Sequence, residues 1–426
     1  MSPIRGNSRL TATRQSLGLL AVMCLGTAVA RADDWPQWNG PRYEMISRET
    51  GWSKDWTSQP PRQVWTREIG VGFSGISVVG PRIYTMGRDE DKDVVYCLDA
   101  ATGEVQWTHA YPCELVANMH EGGPGATPTV RDGRVYTHSR EGHVHCLDAE
   151  SGSVIWKVFL PDITEIKHPM WGFTSSPIIV GEFVIIEAGR LVALKQSDGA
   201  YAWQTDKRAP GYGSAMQFEH GGKSLVATLN NAGLLVVDPV DGREVAFTEW
   251  KTSFLTNSTT PIYFDGKFFI STGYKRGCGL FQFNGDSFKE LYTSREMSNH
   301  MNNSVYYEGH IFGVSGNSNE SRNCRLVCLD AASGEAKWSK RGIGCGSLLI
   351  ADGHIVLLSD DGSMTCGPAN SEGFEGSGKF EALKGRCWTV PTLANGHIYC
   401  RTAKGKLVCL ELPSASSGPA SPASQK

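Results

Sequence analysis

Three histidines, one carboxylate and a few aromatic side chains stand in the least regular stretches of this 426-residue chain, and chemistry would reside there. His120 and Glu121 lie in PCELVANMHEGGPG (112–125), His168 in PDITEIKHPMWGFTSS (161–176) and His300 in REMSNHMNNS (295–304). Neutral imidazoles with a carboxylate form a donor set for zinc or copper, to which Met119, Met170 and Met301 would add soft thioethers. The same imidazoles suit a base acting on a sugar or another polar substrate. Trp171 and Tyr212 would stack on a sugar ring or an apolar peptide side chain, with Lys167, Asn302 and Asn303 hydrogen bonding beside them. The structural alternative is that the histidines bond loop carbonyls around a water-filled channel and the rings plug it. His120, His168 and His300 are 48 and 132 residues apart, so only a fold that gathers distant loops brings them together.

A repeated phrase supplies that fold. It reads VVYCLDAATGEVQW (94–107), HVHCLDAESGSVIW (143–156) and RLVCLDAASGEAKW (325–338), with weaker copies at 191–203, 234–247 and 280–292. Upstream of each phrase, two apolar runs flank a tight turn, as in PTVRDGRVYTHS from Pro128 and LLIADGHIVLLS from Leu348. Asp-Gly, Glu-Gly and Asn-Gly between such runs mark hairpins, because glycine reaches the positive φ that a two-residue turn requires. Together the two signatures make four antiparallel strands, A to D, and eight such units are present. Turn glycines Gly103, Gly152, Gly199, Gly242, Gly285 and Gly334 recur every 43–49 residues. The pattern predicts an all-β, eight-bladed β-propeller.

Within each phrase the aspartate should accept turn N–H groups. The tryptophan four residues past the glycine should open the outer strand and dock on the next blade. The last unit ends at KLVCLEL (406–412) without a D strand, and RQVWTREIG (62–70) has the missing pattern, so the N-terminal strand should close the ring. Unit seven is degenerate over Ser363–Phe380. The expected organisation is a signal peptide over 1–32, an N-terminal extension over 33–61, the propeller over 62–412 and a disordered tail over 413–426. The D–A and B–C connections should form one face of long loops, with short turns on the other. His220, His310, His354 and His397 fall in A–B turns and read as solvent-facing, and the acids of GRDEDKD (87–93) lack the spacing of a calcium loop.

Arg5, Arg9 and Arg14 precede an apolar run from Leu17 to Ala30, the pattern of a cleaved export signal leading to a periplasmic or secreted location. Removing it takes four arginines and no acids, moving the formal charge from −3 to −7. That excludes the basic footprint of a nucleic-acid partner, and no later run is long and apolar enough for a membrane span. Of twelve cysteines, eleven follow the signal, and none forms a CxxC. Cys97, Cys146, Cys328 and Cys409 share one strand position and read as small core residues. Cys278 with Cys324, or Cys345 with Cys387, are placed to staple neighbouring blades, with thiolate ligation as the alternative.

The phrase resembles the docking motif of PQQ-like propeller repeats, shared by quinoprotein dehydrogenases and outer-membrane assembly factor propellers. The opening DWPQWNGPR (34–42) resembles exported PQQ-like proteins of environmental bacteria. Quinoprotein dehydrogenases typically carry a vicinal cysteine pair, a calcium held by Asp, Glu and Asn, and an aspartate base. This chain has no Cys-Cys and no haem CxxCH. The resemblance is shared by enzymes and non-enzymatic scaffolds; with those enzyme features missing, the expectation is a monomeric, non-catalytic binding or scaffold propeller. It would recognise a protein segment, a carbohydrate or a small polar ligand at the long-loop face. No cofactor is expected, with copper, zinc or calcium as the metals to test and PQQ disfavoured. The alternative is a PQQ- or metal-dependent alcohol or sugar oxidoreductase with its site in the central funnel.

Overall fold

Turn chemistry builds the blades. In the hairpin between Ser347–Ala351 and His354–Leu358, Asp352 and Gly353 have φ of 48° and 69°, the paired left-handed values of a type I′ turn. Asp132–Gly133, Asp265–Gly266, Glu308–Gly309 and Asn395–Gly396 repeat it. The computed structural model describes residues 33–415 apart from 116, 118 and 119. The expected signal segment, Met119 and positions 416–426 lie outside the described residues.

The described residues form eight sheets, seven antiparallel ones of four strands and one of five, in which a short parallel strand joins four antiparallel ones. Blade one runs Ser77–Val79, Arg82–Asp89, Lys92–Asp99 and Val105–Pro112, and blades two to seven repeat that order. In blade eight the N-terminal strand Arg62–Glu68 pairs with Lys406–Glu411, placing Trp65 opposite Cys409. The ring is closed as the sequence predicts, and the seam leaves no open sheet edge. Arg401 is wholly buried there, donating to the carbonyls of Met86 at 2.5 Å and Gly70 at 2.9 Å. The degenerate unit seven still forms an outer strand, Ser377–Glu381.

Most of the repeat phrases do the mechanical work expected of them; the copy ending at Phe247 is an exception, since its ring does not cover Gly285 in the following blade. Asp99 Oδ1 accepts the N–H groups of Ala101 and Thr102 at 3.0 and 2.8 Å. The indole N–H groups of Trp65, Trp107, Trp156 and Trp203 donate to carbonyls of the following blade's C–D turn at 2.9–3.1 Å. Each ring lies on that turn's glycine: a Cβ on Gly152 would stand 2.6 Å from the Trp107 ring, and one on Gly199 2.7 Å from Trp156. Tyr292 takes the role between blades five and six, its hydroxyl donating to Ala331 O at 3.1 Å.

Three expectations need correction. Most B–C connections are short; Arg82–Asp89 and Lys92–Asp99 are joined by only Glu90 and Asp91, so GRDEDKD is a hairpin and not a loop. Blade six is the exception, with a 3-10 turn at Ser318–Asn323. All described cysteines are buried free thiols, so neither suggested staple forms. Cys278 sits inside a strand with Sγ 3.6 Å from Ser294 O, while the Cys324 thiol meets Cys345 instead. His220 is not a free turn residue either: its Nδ1 bonds the Tyr263 hydroxyl at 2.8 Å and its ring packs on Phe283.

The extension is a strap across the short-turn face. Asp34 accepts the Gly80 N–H in the first turn of blade one, Trp35 pairs with Val78, and Pro36 O accepts from Val130 in blade two. Trp38 then reaches Thr260 ahead of blade five, and Ile46–Ser47 adds in parallel to Ser347–Ala351 of blade seven. Farther along, Trp52 pairs with Ser414, and Lys54 meets Asp352 at 2.5 Å. A segment that touches the inner strands of blades one, two and seven, and the residues leading into blade five, must cross the central channel.

Candidate functional site

The loops that enter the A strands converge on one cavity of about 340 Å³ above the strap. Its walls are aromatic. On one side Phe73 stacks against Trp388 at 5.5 Å, with His120 edge-on to Phe73 at 5.2 Å and the Arg386 guanidinium 4.4 Å over Trp388. Elsewhere in the lining Trp171 and Tyr212 lie 5.6 Å apart, and Tyr274 meets His300 at 5.1 Å. Trp38 joins these rings from the strap, and hydroxyls of Thr174, Ser176, Ser214, Thr256 and Ser258 stand between them. Among the described residues the lining contains no Asp or Glu.

The two lining histidines are held neutral and already bonded. Burial pushes His300 down to about 4; its Nδ1 accepts the Ser318 N–H at 3.2 Å, leaving Nε2–H to donate to the Tyr274 hydroxyl, also at 3.2 Å. His120 is lowered too, chiefly by burial and then by Arg140, and its Nδ1 accepts the Gly122 N–H at 3.0 Å. A neutral imidazole has one nitrogen lone pair, so each ring's acceptor is committed to a backbone N–H. Glu121 stands behind the lining, 3.1 Å from Arg386.

The remaining predicted residues divide. Trp171, Tyr212 and Asn302 line the cavity, Asn302 also donating to Gly346 O at 3.1 Å. Asn303 is buried behind it, accepting the Thr260 N–H at 3.0 Å and donating to Thr260 O at 3.3 Å. His168 and Lys167 are exposed and outside the lining, the His168 ring bonding Pro169 O at 3.0 Å. Among the described residues no three His, Cys, Asp or Glu side chains are grouped to hold a metal. Sequence reading missed Trp38, Phe73, Tyr274, Arg386 and Trp388. The one signal was position, since Phe73 and Trp388 lie in D–A loops and Tyr274 in a B–C loop.

A family model described as outer membrane protein assembly factor BamB matches residues 46–157 and 90–321. The outer membrane protein assembly factor BamB of Yersinia pestis is 22% identical over 357 residues, covering 82% of this chain and 77% of its own length. BamB from Moraxella catarrhalis superimposes with a TM-score of 0.61 at 17% identity, over 83% of this chain and 100% of that one. A europium-containing methanol dehydrogenase does so with a TM-score of 0.67 at 12% identity, over 89% and 98%. At these identities the solved structures establish fold alone. With the closed ring and its docking tryptophans, the match over more than half its length means that the chain belongs to the PQQ-like, BamB-type β-propeller family.

Proposed function

We propose that this chain is an exported, non-catalytic binding propeller whose funnel takes a compact, uncharged, hydroxyl-bearing ligand. The observation that carries the reading is the lining itself: aromatic rings around a small cup, with hydroxyl, amide and neutral imidazole groups between them. Rings bury the C–H faces of such a ligand, and the neutral polar groups satisfy its hydroxyls without desolvating a charge. Export to the periplasm or beyond accords with the leader pattern in residues 1–32 and with membership of a family named for outer membrane assembly.

The quinone alternative fits this lining poorly. Pyrroloquinoline quinone is a tricarboxylate that quinoprotein dehydrogenases hold with a metal ion, whereas the one cation among the described lining residues, Arg386, is paired with Glu121. A metal at His120 and His300 would have to displace the backbone N–H groups that occupy their lone pairs.

Calorimetric titration with a panel of neutral saccharides and polyols tests the proposal. A saturable heat, lost in Trp171→Ala and Trp388→Ala without a drop in melting temperature, is expected. A quinone absorption band in the purified protein, or turnover of an alcohol with a redox dye, would overturn the non-catalytic reading. A protein segment is the second reading, favoured by Met170, Phe254 and Leu255, which are 63%, 64% and 52% exposed on the D–A loops. Binding to unfolded outer-membrane polypeptide, with no response to any saccharide, would select it.

A further inference from the structure

A ring of blades normally leaves a passage along its axis, and here the strap crosses it. Trp35 and Pro36 hold the strap to blades one and two, and Ile46–Ser47 hold it to blade seven. Between those anchors Asn39, Gly40, Tyr43 and Met45 have φ of 63°, 78°, 60° and 58°, so the chain coils within a short span. Tyr43 packs against the clusters beneath blades three to five. Trp38 is the side chain this segment sends upward into the lining.

The position of Trp38 is set from above. Its indole N–H donates to Thr260 Oγ1 at 2.9 Å, and Asn303 grips the Thr260 backbone through both its N–H and its carbonyl. Asn303 therefore acts as a positioning residue: it fixes Thr260, which fixes the ring at the base of the cup.

Resting on the reading of the funnel as a site for a neutral hydroxylated ligand, we infer that Trp38 is its floor and that the strap makes the site blind. Its ligand is then the terminal sugar of a glycan and not an internal stretch. A cup open at one end admits a chain end and stops it on the floor; a polysaccharide cannot thread through. The aromatic walls would flank the terminal ring, while Trp38 covers its far edge and excludes water there.

An array of oligosaccharides immobilised through their reducing ends, read with the full-length protein, tests this. Binding should follow the terminal sugar whatever lies beneath it, and a cyclic oligosaccharide of the same sugar should not compete. Competition by the cyclic form, or affinity that grows with chain length, would overturn terminal recognition while leaving the funnel reading intact. No binding to any glycan would overturn both. Trp38→Ala should weaken the best array hit roughly tenfold, the loss of one buried aromatic contact, with Trp38→Phe restoring most of it. If Trp38→Ala binds like the natural protein while Trp171→Ala does not, the floor assignment is wrong and the funnel stands.

Discussion

His109 on the outer strand of blade one faces His145 of blade two with ring centroids 4.9 Å apart; Tyr111 lies 4.4 Å from His145, and His143 6.3 Å. Burial, then His109, His143 and Lys157, push His145 down to about 3, and His109 and His143 are lowered as well. The fold holds these rings neutral while the unfolded chain protonates near 6.5. The contribution of His145 to stability is therefore complete above pH 6.5 and lost as pH falls toward 3. Glu187, fully buried and pushed up to about 7, has the opposite sign: its contribution is present below 4.5 and lost as pH rises to 7. A variant comparison separates the two. Between pH 6.5 and 4.5 the stability of the natural protein should fall more steeply than that of His145→Gln, by up to about 1.4 kcal/mol per pH unit. Parallel pH profiles from thermal denaturation would mean that His145 titrates freely in the fold.

At this scale the sequence was least legible. Trp171, Tyr212 and His300 could be picked out as unusual residues in D–A loops. Phe73, Tyr274 and Trp388 stand one to a loop with no spacing to link them. His143 and His145 sit inside the repeat phrase, whose pattern marks turn, strand and docking residue and says nothing of a histidine cluster between blades.

Between elements, one ring and one glycine recur at successive blade junctions. A Cβ on Gly199 would overlap the ring of Trp156, and that ring's N–H bonds Gln196 O at 2.9 Å, so contact and hydrogen bond hold the same junction. Trp156→Ala should cost about 3–5 kcal/mol, the usual loss for a buried aromatic truncated to alanine, and chemical denaturation measures it. A cost below 1 kcal/mol would show that the blades are held by their other apolar contacts. This level was the most legible, because the phrase encodes turn, strand and docking residue together; even the weak copy ending in Tyr292 docks. Loop length was misjudged, since turn residues such as Glu90 and Asp91 look the same in a tight hairpin and in a longer loop.

For the molecule as a whole, eight blades and their closure could be read by matching the unit that lacks a D strand with the N-terminal segment that has its pattern. The strap could not. Its contacts with blades one, two, five and seven involve one to a few residues each, without periodicity, and a crossing of the ring leaves no repeat behind. A chain shortened to begin at Ile69 should lose the seam, expose the Lys406–Glu411 edge and aggregate on gel filtration. A monodisperse monomer with unchanged circular dichroism would mean that blade eight persists with three strands.

That seam also orders events in time. Arg62 and Glu411 are partners across 349 residues, whereas the hairpins within a blade are local. Bringing such distant ends together costs roughly 5 kcal/mol of chain entropy, so blade eight should assemble last, once its neighbours have shortened the distance. Until translation delivers residues 406–411, every nascent copy carries an unpaired first strand. The interval between synthesis and closure is when this protein is most exposed to proteases and most in need of a chaperone.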